Sequence, residues 1–122
     1  MADPKHSQQV TFEEVESLVE NNLPNTVLVD VRTPEQHANG SIPGSVNLEF
    51  AEFETAMKLS NEEFKKKYGF SLPEKNGEEK LVLYCGGGTR CKKSAVIAEE
   101  AGYQENIFIY GKGYTEYKQK KI

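Results

Sequence analysis

The sequence predicts an α/β domain organised on a mostly parallel sheet, and two observations carry that expectation. Short β-prone runs at residues 26–31, 81–84 and 107–110 alternate with stretches of helical spacing, and strands separated by helices return in parallel. The first run is nearly continuous in apolar residues, broken by Asp30, as in a strand covered on both faces. Length agrees, since 122 residues suffice for one hydrophobic core and not for two.

The opening MADPKHSQQV is polar and reads as a frayed, flexible tail over residues 1–10, with the domain occupying residues 11–122. Thr11 and Glu14 form a capping box that opens a helix with Phe12, Val15, Leu18 and Val19 on its apolar side. Asn21, Asn22 and Pro24 end it. The strand at 26–31 leads into Arg32. Thr33, Pro34 and Gln36 then supply an N-cap, a first-turn proline and a capping-box partner for a short helix reaching about Asn39, with His37 on its solvated side. Ile42, Pro43 and Gly44 make a turn, and residues 45–48 return as a brief strand. Residues 52–59 have helical spacing with Phe53, Ala56 and Met57 inward; Ser60 and Glu63 cap a further helix carrying Phe64 and Tyr68, which Gly69 closes. A polar loop at 73–79 precedes the central strand at 81–84. Helical spacing resumes at 91–101 and stops at Gly102. After the run at 107–110, Gly111, Lys112 and Gly113 turn the chain into a last helix packed through Tyr114 and Tyr117.

Composition excludes several classes. A net charge of −4 opposes nucleic-acid binding, which needs a basic face to release counterions. The lysines near residues 65–67 and 118–121 read as solvated faces. No apolar run approaches the ~20 residues that span a bilayer, and the N-terminal residues have neither the apolar core of a secretory signal nor the arginines of a transit peptide. A cytoplasmic protein without membrane or nucleic-acid partners is expected. Two cysteines and two separated histidines make neither a disulfide framework nor a zinc set, so no metal or cofactor is expected.

The chemistry concentrates in CGGGTR, which joins the strand at 81–84 to the helix that follows. Cys85 stands at the carboxyl end of the strand, where parallel sheets gather ligands, and Arg32 ends a neighbouring strand at the same rim. Glycine reaches backbone angles closed to side chains, so Gly86, Gly87 and Gly88 can aim N–H groups inward as an anion nest. The first turn of the helix adds unpaired N–H groups and the positive end of its dipole, and Arg90 adds a full charge. All of these favour the thiolate of Cys85 over the thiol, whose reference pKa is roughly 8.5, and make Cys85 a candidate nucleophile. Cys91, in the first helical turn, reads as a small packed residue, with a resolving thiol for Cys85 as the other possibility. Asp30 and Arg32 each admit a structural ion-pair reading beside a pocket-shaping one.

Three passages together resemble the single-domain rhodanese family of sulfurtransferases. DVRTPEQHANGSIPGSVNL, residues 30–48, is similar to that family's DVR…E…GHIPGA stretch, with Ser41 where histidine is usual. YCGGGTRCKKSA matches its loop of cysteine, four residues and arginine, then a small residue, here Cys91. GYQENIFIYGKGYTEY resembles its closing strand and glycine turn. The resemblance implies a parallel central sheet with helices on both faces, and a monomer is expected. It implies that Cys85 takes a sulfane sulfur from thiosulfate as a persulfide and passes it to cyanide or a thiol such as glutathione or thioredoxin. Gly86, Gly87, Gly88, Thr89, Arg90 and Cys91 would then surround the substrate with Arg32, supported by Asp30. Some thiosulfate-using members have basic side chains next to the cysteine. Gly86 and Gly87 leave a more open, less charged pocket here, suited to a larger donor such as glutathione persulfide.

Rival classes share parts of this chemistry. Cysteine phosphatases and arsenate reductases place five residues between cysteine and arginine, against four here, so the shorter loop suits one added sulfur better than a tetrahedral phosphate. A non-catalytic binding module of the same fold would need no working cysteine. A thiol redox sensor would use Cys85 with Cys91.

Overall fold

Residues 3–87 and 89–121 are described by a computed structural model. Met1, Ala2, Gly88 and Ile122 lie outside the described residues. The elements follow one another as β1 (Gln8–Gln9), α1 (Phe12–Glu20), β2 (Thr26–Asp30), α2 (Pro34–Ala38), β3 (Val46–Asn47), α3 (Phe50–Ala56), α4 (Asn61–Tyr68), β4 (Lys80–Tyr84), α5 (Thr89–Glu100), β5 (Ile107–Tyr110) and α6 (Gly113–Lys120). The strands form one sheet in the order β1-β5-β4-β2-β3, and every neighbouring pair is parallel.

Alternation along the strands sorts the apolar side chains into two cores, because successive residues of a strand point to opposite faces. Val29, Leu81, Leu83, Ile107 and Ile109 pack with Phe53, Phe64, Ala95 and Ala98 of α3, α4 and α5. Leu28, Val82, Tyr84 and Tyr110 pack on the other face with Phe12 and Val15 of α1 and Tyr117 of α6. The α/β sheet covered by helices on both faces is therefore as expected. Leu83 and Ile109 are 0% and 1% exposed, so truncating either to alanine costs about 2–5 kcal/mol.

Local signals worked where their chemistry is self-contained. The capping boxes at Thr11, Thr33 and Ser60 are all formed, and Gly69 closes α4 in the left-handed region at φ 82. Boundaries moved at two helices: α3 begins at Phe50, and α5 begins at Thr89, so Arg90 belongs to its first turn and not to the loop.

The N-terminal segment departs further from the sequence expectation. In place of a frayed tail through residue 10, Gln8 and Gln9 pair with Phe108 and Ile109 of β5. The N–H groups of Lys5, His6 and Ser7 donate to the Glu99 carboxylate of α5 at 2.8, 2.9 and 2.7 Å. A sheet edge offers its backbone groups to any extended segment whatever its side chains, which is why polar residues carried no sign of it. Among the described residues no helix is long and apolar enough to cross a membrane.

Candidate active site

Strands β2 and β4 run in register with Asp30 opposite Tyr84, and Val31 N–H donates to the Tyr84 carbonyl at 2.9 Å. Their carboxyl ends therefore reach one rim, where β4 delivers Cys85 and β2 delivers Asp30 and Arg32.

Cys85 is 2% exposed and Cys91 is fully buried. The Cys91 thiol is pushed far up by a hydrogen bond with the Cys85 side chain first, then by burial and by charge on Cys85, while the backbone N–H groups of Cys91 and Cys85 pull it the other way. Cys91 thus keeps its proton and shares a hydrogen bond with the Cys85 side chain, while the main-chain N–H groups of Cys91 and Cys85 act on the Cys91 sulfur itself. The small packed residue expected at 91 is a hydrogen-bond donor to the candidate nucleophile.

The chain beyond Cys85 carries space in place of side chains. Gly86 is half-buried and Gly87 exposed, and a Cβ added at either would meet nothing within 4 Å. Neither glycine adopts positive φ, so the expectation that they take backbone angles closed to other residues does not hold for these two. What they leave is open space along the turn that follows Cys85. Gly88 lies outside the described residues.

The glycine that conformation does require is Gly113, at the start of α6. Its φ is 66, and a Cβ there would collide with the Cys85 carbonyl oxygen and come within 2.7 Å of the Gly86 oxygen. The next two N–H groups of α6 hold the same carbonyls: Tyr114 donates to Cys85 at 2.8 Å and Thr115 to Gly86 at 3.3 Å. The nucleophile turn is thus backed by main chain from the other end of the domain.

Thr89 is exposed at the start of α5. Arg90 follows it, and its Nη1 donates to Gln36 Oε1 of α2 at 3.3 Å. Its guanidinium therefore spans from the nucleophile helix to the element after β2.

Asp30 is fully buried and Arg32 is 6% exposed. Arg32 N and Nε donate to Asp30 Oδ1 at 2.9 and 3.0 Å, and Nη2 donates to Oδ2 and to the Gly40 carbonyl, both at 2.7 Å. The guanidinium carbon also lies 4.5 Å from the Tyr114 ring centroid. Burial pushes the Asp30 carboxyl up, but hydrogen bonds from Arg32 and His37 outweigh it and hold the group below its ordinary value. His37, expected to be solvated, has Nδ1 2.9 Å from Asp30 Oδ2. Asp30 and Arg32 thus form the staple that fixes the end of β2, and Arg32 still contributes to the wall of an adjoining groove with Gln36, Thr115 and Lys118.

Gly113, Gln36 and Lys118 reach the site without having been singled out for it. Gly113 stood in a recognised glycine turn, the one signal available; the others approach through tertiary contacts with no local motif.

Comparison with known proteins agrees with this geometry. Residues 11–120 match the Rhodanese-like domain family. A protein of Schizosaccharomyces pombe whose name places it in mitochondria is 43% identical over 95 residues, which are 78% of this chain and 65% of that one. The thiosulfate:glutathione sulfurtransferase of Saccharomyces cerevisiae is 33% identical over 84% of this chain and 72% of its own. Among solved structures, the human single-domain sulfurtransferase TSTD1 superposes with a TM-score of 0.83 at 29% identity, over 93% of this chain and 97% of that one.

Proposed function

The chain belongs to the Rhodanese-like domain family, and on that premise we propose that it is a sulfurtransferase carrying a sulfane sulfur as a persulfide on Cys85. The donor is thiosulfate or a low-molecular-weight persulfide such as glutathione persulfide. The acceptor is cyanide or a thiol such as glutathione or thioredoxin. Support comes from relatives named for sulfur transfer to glutathione and above all from one observation: Cys85 follows the carboxyl end of β4 at the sheet rim, its turn is open at Gly86 and Gly87, and its side chain is hydrogen-bonded to the Cys91 thiol.

The Cys85 thiolate attacks the outer sulfur of thiosulfate, the donor's S–S bond breaks, and sulfite leaves with the electron pair. The negative charge then sits on the terminal sulfur of the persulfide, where aligned donors stabilise it in a site sheltered from water. An acceptor nucleophile attacks that terminal sulfur and releases the Cys85 thiolate. Neither step transfers a proton from carbon or oxygen, so no separate general base is needed. Arg90, steadied by Gln36, supplies positive charge as the anionic donor enters, and Thr89 lies on the same helical turn.

Protein mixed with thiosulfate or glutathione persulfide gains one sulfur on Cys85 by mass spectrometry, removable by cyanide. Cys85→Ser abolishes the gain. Phosphate-ester turnover without any persulfide would overturn this reading in favour of a phosphatase. The domain, with β1 at Gln8–Gln9 included in its sheet, is proposed to act as a monomer and to reside in the cytoplasm; sedimentation checks the first, and cell fractionation the second.

A further inference from the structure

We propose that the groove between α2 and α6 binds the body of a carboxylate-bearing peptide thiol, a tripeptide of the glutathione class, as sulfur acceptor. This rests on the sulfurtransferase reading above and adds to it a binding site that selects one acceptor among those proposed.

The groove holds about 490 Å³, within the roughly 300–1,000 Å³ of small-molecule sites. It neighbours the nucleophile turn at Gly86 and the first turn of α5 at Arg90. Gln36 in its wall accepts from Arg90, and Thr115 donates its N–H to the Gly86 carbonyl. Its charge runs against that of the chain. The protein has 19 acidic and 15 basic residues, yet none of the eight residues lining the groove is acidic. Two are cations, Arg32 and Lys118, and three are side-chain amides, Gln36, Asn39 and Gln119. Arg32 is already neutralised by Asp30 at 2.7 Å. Lys118 is exposed and forms no ion pair among the described residues, which makes it the cation available to an incoming carboxylate. A peptide thiol matches this wall group for group, with carboxylate for Lys118 and peptide N–H and C=O for the amides. Cyanide and a neutral alkyl thiol carry neither a carboxylate for Lys118 nor peptide groups for the amides.

Two measurements test this. Titrating S-methylglutathione, which has the tripeptide body but no free thiol, shifts the amide signals of Gln36, Asn39, Lys118 and Gln119 in heteronuclear NMR spectra. Lys118→Glu weakens that binding about tenfold, the loss of one charge-assisted contact. Lys58→Glu, the same charge change at an exposed lysine following α3 on the opposite face of the sheet, leaves it within about twofold. In turnover from thiosulfate, Lys118→Glu raises the KM for glutathione about tenfold more than the KM for 2-mercaptoethanol or cyanide. Equal changes for all acceptors, or signal shifts elsewhere on the protein, overturn the groove while leaving the persulfide chemistry standing. Failure of the unaltered protein to form a Cys85 persulfide overturns the underlying reading, and this one with it.

Discussion

The ends of β2 and β4 are neighbours in one parallel sheet, and both place a polar side chain at the same rim, yet they are built to opposite purposes. At the end of β2, Asp30 is enclosed and saturated by Arg32 and His37, and Arg32 is held in turn by the Gly40 carbonyl. At the end of β4, Cys85 is just as deep, but the turn that follows it is open at Gly86 and Gly87, and its side chain shares a hydrogen bond with the Cys91 thiol. Burial alone therefore does not separate a structural residue from a candidate nucleophile. The difference lies in whether the neighbours complete the group or leave it an approach.

The largest effect is expected where that completeness is removed. Asp30→Ala leaves the Arg32 guanidinium buried without its carboxylate, and breaking one side of such a pair costs about 3–5 kcal/mol; urea denaturation reads the loss. Gly113→Ala comes next. A left-handed alanine costs about 1–2 kcal/mol, and its Cβ also pushes on the Cys85 and Gly86 carbonyls. The rate of persulfide formation should consequently fall well beyond what the thermal shift accounts for. If rate and stability fell only in step, the backing role of α6 would be wrong.

Cys91 distinguishes donor from filler. Cys91→Ser retains a proton to donate and keeps single-turnover sulfur transfer, whereas Cys91→Ala slows it about tenfold, the worth of one hydrogen bond to a charged atom. Similar rates for both variants would reduce Cys91 to packing. Loss of the single turnover in Cys91→Ser would instead give its sulfur a covalent part.

The smallest effect is the pH response of the β2 end. The folded pKa of Asp30 is depressed from 3.8, so its contribution to stability is fully present above that value and is lost as pH falls through the lower folded one. The stability difference between the unaltered protein and Asp30→Asn should be constant at neutral pH and shrink on acidification below about 3.8. A difference that persisted unchanged into stronger acid would contradict the depressed value.

Much of this architecture could be read from the chain because its signals are short-range. Each capping box joins residues three apart, and the alternation in β4 assigns Leu81 and Leu83 to one core and Val82 and Tyr84 to the other. The position of Cys85 followed from a strand meeting a glycine run. What could not be read depends on distant partners. Gly113 meets Cys85 from across the fold, His37 turns inward because Asp30 is there to receive it, and the cationic groove is assembled from α2 and α6. Gln8 and Gln9 join the sheet through backbone alone, which no side-chain pattern records.

The contact of Gly113 with the Cys85 turn also has a consequence in time. The groups that hold the carbonyls of this turn belong to the last helix of the described chain, so the turn has its backing only once α6 has docked. A fragment that ends before Gly113 would keep Cys85 at the end of its strand and lack the main-chain groups that hold the turn behind it.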